Sequence, residues 1–188
     1  MKLFAFKEWQ VVCDALEAGE QTLILRKGGI SEGKLGFQWL HDAFLLFPTH
    51  FHEQVRQVKG NPHLPAAPAA PAAEAPVPFR LHATTEWTAR LTRWDEVQGL
   101  SPFHIWTDEA IRERFEWGEE PGISLAVVRI RKLAETWTVP HQAGFGGCRS
   151  WIGLPETDHD ILQKAVPVLD DASFADHVSR ISEVIRKP

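Results

Sequence analysis

The sequence predicts a mixed α+β fold, one composite sheet with flanking helices, interrupted by a disordered proline–alanine linker. Three observations carry this prediction. Residues 79–91 and 123–133 have strand patterning, whereas two other segments repeat with helical spacing. Residues 61–78 hold six Pro and seven Ala in eighteen positions, and repeated Pro denies helix and sheet their amide donors. Residues 1–60 offer one main helix and two short strands, too little to bury a core alone. The expected organisation is an N-terminal segment, 1–60, docking on a main α+β segment, 79–188, across a linker at 61–78.

The elements follow in order. Trp9, Val12, Cys13 and Leu16 lie at i, i+3, i+4 and i+7, which predicts a helix over 8–18 stopped by Gly19. Thr22 to Arg26 reads as a buried strand ending in a turn at Lys27-Gly28-Gly29. Phe44 to Phe47 reads as a second strand stopped by Pro48, with Thr49 capping a short helix over 50–58. Phe79 to Leu91 alternates as a strand with a break. Thr107, followed by Asp108 and Glu109, starts a helix running to Trp117, because acidic side chains favour the positive dipole end. Ile123 to Leu133 is the strongest strand, and Trp137, Val139 and Trp151-Ile152 suggest further short ones. Phe174, Val178, Ile181 and Ile185 mark one face of a C-terminal helix begun by Asp170 or Asp171.

Composition narrows the function classes. No apolar run approaches the roughly 20 residues that span a bilayer, and the first nine residues lack the pattern of a signal peptide. A cytoplasmic protein without membrane contact is expected. Two cysteines, Cys13 and Cys148, suit a reducing compartment and give no disulfide framework. The net charge is −5, yet residues 1–60 hold seven basic and seven acidic side chains, so a local cationic site is compatible with the total. There are eight Trp and no Tyr; most of the Trp should be core or pocket wall.

Candidate chemistry sits at predicted element ends. Arg26-Lys27-Gly28-Gly29 can offer positive charge and backbone amides to a phosphate or carboxylate, or it is a plain turn with solvated cations. His50-Phe51-His52-Glu53 supplies His52 as a candidate general acid or base, against the alternative of surface histidines near a helix cap. His50 and His52 would share a face on a strand but splay apart on a helix, and no cluster has zinc-ligand spacing. His104 and Trp106 precede a helix N-terminus, where orphan amides favour anions, with Arg114 two turns in. Arg129 and Arg131 form one face of the strongest strand, suited to phosphate or simply to solvent. Cys148 beside Arg149 is a candidate nucleophile, although a packed thiol fits equally. No phosphate-binding P-loop, dinucleotide fingerprint, nucleophile elbow or zinc-protease motif is present.

Taken together, Lys7-Glu8-Trp9, Ala15-Leu16, Gly19 and Gln21, Leu25 to Ile30, Phe47-Pro48-Thr49 with His52, His104 to Thr107, Arg114-Phe115 and Gly147-Cys148 with Ser150-Trp151 resemble the bacterial family known as domain of unknown function 1802. The resemblance spans most of residues 3–155. It implies that the motifs on both sides of the linker belong to one unit, and it carries an association with nuclease systems. The family pattern places a Tyr near Phe145 and a Gln where this chain has Glu53.

The leading expectation is therefore binding or processing of nucleic acid or nucleotides in a cationic cleft. Lys7, Arg26, Lys27, His104, Arg114, Arg129 and Ser150 would line it, with Trp106 or Trp151 for stacking. If catalytic, phosphodiester hydrolysis with His52 or Glu8 handling the proton fits these residues best. The alternatives are a non-catalytic protein-interaction module and a small-molecule enzyme acting on an anionic substrate. The sequence specifies no cofactor and no metal.

Overall fold

The computed structural model describes residues 3–28, 37–50, 54–60, 75–156 and 160–185. Its strands are β1 (Phe4–Trp9), β2 (Leu23–Arg26), β3 (Ala43–Thr49), β4 (Val77–Leu91), β5 (Ile123–Val139), β6 (Trp151–Gly153) and β7 (Val166–Pro167). The helices are α1 (Gln10–Glu17), α2 (Trp94–Gly99), α3 (Asp108–Glu116), α4 (Asp160–Gln163) and α5 (Asp171–Ile185). Among the described residues the strands form one mixed sheet in the order β2-β5-β4-β3-β1-β6, with β7 added to β5. Strands from both sides of residues 61–74 therefore share one sheet, as expected. Those linker residues, and His52 with Glu53, lie outside the described residues. No helix among the described residues is long and apolar enough to cross a membrane.

The apolar run Phe44–Phe47 is explained by burial on both faces of the sheet. Phe44 and Leu46 join the larger core with α1, α3 and α5, whereas Leu45 and Phe47 join a second core with Phe79, Phe145 and Ile152. Successive strand residues point to opposite faces, so a strand covered on both sides reads as continuous rather than alternating. Phe6 and Ala5 divide in the same way between the two cores.

Several local expectations are corrected. Glu8 and Trp9 end β1 rather than open a helix, because residues 5–9 pair in parallel with β3. The helical spacing from Trp9 to Leu16 is real but begins one residue after the strand. Pro48 does not stop β3, which continues to Thr49. Among the described residues the pairing of β3 with β4 runs from Ala43 to Leu45, and a residue lacking an amide donor is tolerated outside such a ladder. Thr49 is the last residue of β3 and its hydroxyl donates to the Glu8 carbonyl at 3.0 Å; residues 51–53 of the expected helix lie outside the described residues. Residues 54–57 form a single 3₁₀ turn. Trp137 and Val139 extend β5 instead of forming separate strands, and β4 starts at Val77, which pairs with Val139.

Helix α1 ends as its sequence foretells. The Glu20 amide donates to the Ala15 carbonyl at 3.0 Å, and the Gly19 amide donates to that of Leu16 at 3.2 Å, with Gly19 at φ 74°. This is a Schellman closure, which needs a left-handed residue at that position. A Cβ on Gly19 would also meet the Leu169 side chain at 2.8 Å. Gly19→Ala is expected to cost about 1–2 kcal/mol, measured by urea unfolding; an unchanged midpoint would count against this account of the turn.

Candidate functional site

The order of the sheet puts β2 and β6 at opposite ends, yet Arg26 Nη2 on β2 donates to Ser150 Oγ, just before β6, at 2.9 Å. The sheet thus curls back on itself. A cleft of about 390 Å³ opens beside that junction, lined among others by Lys7, Trp9, Arg26, Lys27, Arg114, Trp117, Cys148 and Arg149. Five segments meet there: the ends of β1, β2 and β3, the last turn of α3, and the loop before β6.

Four of the five cations in the lining contact neutral groups. Lys7 Nζ donates to the Gly147 carbonyl at 2.9 Å and lies 5.7 Å from the Phe47 ring. That carbonyl is presented by a loop pinned through Phe145, which packs edge-on against Phe47 in the second core. The loop then turns at Gly147, whose φ of 77° suits glycine. Lys27 Nζ donates to the carbonyls of Phe115 and Glu120 at 3.2 and 2.8 Å, satisfying the end of α3, where cations are favoured. Arg26 lies 5.5 Å from the Phe6 ring, and its Nε is buried without a hydrogen-bond partner among the described residues. Arg114 lies 4.5 Å from the Trp9 ring and 3.9 Å from that of Trp106. None of these four, nor Arg149, forms a salt bridge to a carboxylate among the described residues.

Glu8 provides the acidic group behind this cluster. It is 3% exposed, and its Oε1 accepts from the Trp9 amide at 2.7 Å. Burial raises its carboxyl above the usual range, opposed by Arg26, that backbone hydrogen bond and Arg114. Burial lowers Lys7, with Arg149 and Arg26 adding to the effect and Cys148 opposing it. Arg114 is lowered to about 10, chiefly by burial, and still carries its charge at neutral pH.

Of the sequence-predicted residues, Lys7, Arg26, Lys27 and Arg114 line the cleft. Glu8 and Ser150 support it from behind, with Ser150 buried. Trp106 is also buried and backs Arg114. Trp151 belongs to the aromatic wall with Phe6, Trp39 and Phe44, and its indole nitrogen donates to the Gln38 carbonyl. His104 lies outside the cleft lining and is 6% exposed. Arg129 does not join either: it pairs with Asp171 and packs on Phe174, docking α5. Arg131 likewise donates to the Ala165 carbonyl. Both arginines are spent on covering the sheet with the C-terminal helices.

Sequence reasoning missed Arg149 and Trp117 as cleft residues. Seven of the eight Trp pack against the two cores, whereas Trp117 is 51% exposed at the mouth of the cleft. Its position just past α3, before Gly118, was the available signal. Cys148 is exposed in the cleft and Cys13 is buried, where desolvation pushes its thiol well up.

No curated protein matches the chain. Among solved structures it is similar to ASCH from Zymomonas mobilis, at 13% identity and a TM-score of 0.48, over 87% of this chain and 92% of that one. Two point mutants of that protein give TM-scores of 0.46 and 0.45 at 13% and 14% identity, again over 87% of this chain and over 96% and 93% of theirs. The family model described as domain of unknown function (DUF1802) matches residues 5–180, nearly the whole length, and the chain belongs to that family.

Proposed function

We propose that this protein binds nucleic acid or nucleotides in the cationic cleft, with phosphate held by Lys7, Arg26 and Arg149 and a base stacked on Trp117. What carries the reading is a convergence of five cations in a chain of net charge −5, without a salt-bridged carboxylate among the described residues. Like charges gathered in a hollow repel one another, and an anion bound between them relieves that cost. The exposed indole beside them supplies the π-face on which any base can stack, an interaction worth about 1–3 kcal/mol. Glu8 sits behind the arginines, so its place in this reading is to set their charge and orientation.

The test is titration of a fluorescent single-stranded oligonucleotide with purified protein across a salt series. Binding that weakens as salt rises is expected. Arg149→Ala, at an exposed position, should weaken it about tenfold, as for loss of one charge-assisted hydrogen bond. Ligand should also slow alkylation of Cys148, which reports occupancy directly. No binding at low salt, with alkylation unaffected, would remove the proposal.

A further inference from the structure

Building on that reading, we infer that the cleft selects a nucleoside phosphomonoester, one base with one terminal phosphate, over an internal phosphodiester. Size is the first argument. The cleft holds about 390 Å³, the small end of the roughly 300–1,000 Å³ that encloses drug-sized ligands. One nucleotide is a ligand of that size; an internal phosphodiester brings a nucleoside on each side.

Charge is the second. A phosphodiester carries one negative charge, whereas a phosphomonoester carries about −1.5 to −2 near neutral pH and three terminal acceptor oxygens. Five cations with Glu8 as the one buried carboxylate among the described residues match the more highly charged group. Arg26 also keeps a buried Nε–H without a partner among the described residues. The gradient of exposure is the third. Arg114 is half-buried against two indoles, while Arg149 and Trp117 are exposed. A ligand that joins a base to a phosphate can stack the base on the exposed indole while its phosphate meets the cations.

Two sources share this chemistry, a free nucleotide and a phosphorylated strand end. The experiment measures affinity of the full chain for one sequence in four forms: 5′-phosphorylated, 3′-phosphorylated, hydroxyl-ended and circular. A free nucleoside monophosphate, its nucleoside and inorganic phosphate serve as competitors. One phosphorylated form is expected to bind at least about tenfold tighter than the hydroxyl-ended and circular forms, the gain from added charge-assisted hydrogen bonds. The monophosphate should compete better than the nucleoside or inorganic phosphate. Stronger competition by the monophosphate than by the strand end identifies free nucleotide as the source, and the reverse order identifies the strand end. Arg149→Ala should shrink the difference between phosphorylated and hydroxyl-ended forms. Equal binding of all four forms overturns this inference and leaves nucleic-acid binding standing. Absence of binding by every probe at low salt overturns both.

Discussion

Arg114→Ala is expected to weaken oligonucleotide binding by about 30-fold or more and to lower stability by about 2–4 kcal/mol. The guanidinium packs on the Trp9 and Trp106 rings at 4.5 and 3.9 Å, beside the edge-to-face contact those rings make with each other. A desolvated cation–π contact contributes about 2 kcal/mol, and truncation of a side chain packed this way leaves a void that neighbours fill only in part. The same change removes a charge that opposes the protonation of Glu8, so the floor of the cleft loses a cation and its carboxyl is driven further toward the neutral form. Ligand affinity should fall by about 30-fold or more, as for truncation of other buried charges at binding surfaces. Arg114→Lys retains the charge but not the planar stack, and should lie between the two for both properties. Urea unfolding measures the first effect and oligonucleotide titration the second. Wild-type stability in Arg114→Ala would show that the contacts of Arg114 with the two indoles do not hold the cleft together. Wild-type affinity would show that the cleft is not where ligand sits.

Much of the frame could be read from the chain because its periodicities are local. Thr107 caps α3, its hydroxyl accepting from the Ala110 amide at 3.2 Å, and the acidic residues after it announced the helix. Phe174 and Ile181 are the buried face of α5. What escaped was set by tertiary pairing. Phe4 to Trp9 is a strand only because β3 and β6 flank it; on its own, Trp9 continues a helical pattern. The cleft was legible in part. Lys7, Arg26, Lys27 and Arg114 stood out as cations at element ends, and curling of the sheet brings the four together. Arg129 was expected to join them from a cationic strand face, but one-dimensional patterning cannot say which face of a strand a helix will cover. Here α5 covers it, and Asp171 neutralises it. Trp117 went unnoticed as a site residue because an indole at a helix end resembles any core indole until the other seven are seen packed.

His104 should make the protein acid-sensitive. It is 6% exposed, its Nδ1 has no hydrogen-bond partner among the described residues, and burial with Lys59 nearby lowers it from 6.5 to about 4, opposed by Asp108 and by backbone hydrogen bonds. Lys59 Nζ donates to the Ser101 carbonyl and hydroxyl, and that hydroxyl donates to Asp108. The histidine therefore lies under the place where residues 57–59 strap onto 105–107, through Lys59 N to Ile105 O at 2.6 Å and Thr107 N to Gln57 O at 2.9 Å. Between pH 6.5 and about 4 the unfolded chain binds a proton at His104 that the folded chain does not. Stability is therefore full above 6.5 and falls as pH drops through that window, by roughly 3 kcal/mol in all. Glu8 acts in the opposite sense. Its raised carboxyl takes up a proton on folding at pH values above the ordinary 4.5, so acidification favours the folded state there. The two contributions overlap, so the informative quantity is the difference between wild type and His104→Leu, which removes one and keeps the other. Unfolding free energies by urea at pH 7 and pH 4 should show wild type losing about 2–3 kcal/mol more than the variant. Parallel losses in the two proteins would mean that His104 is protonated in the folded chain and that the strap over it tolerates the charge.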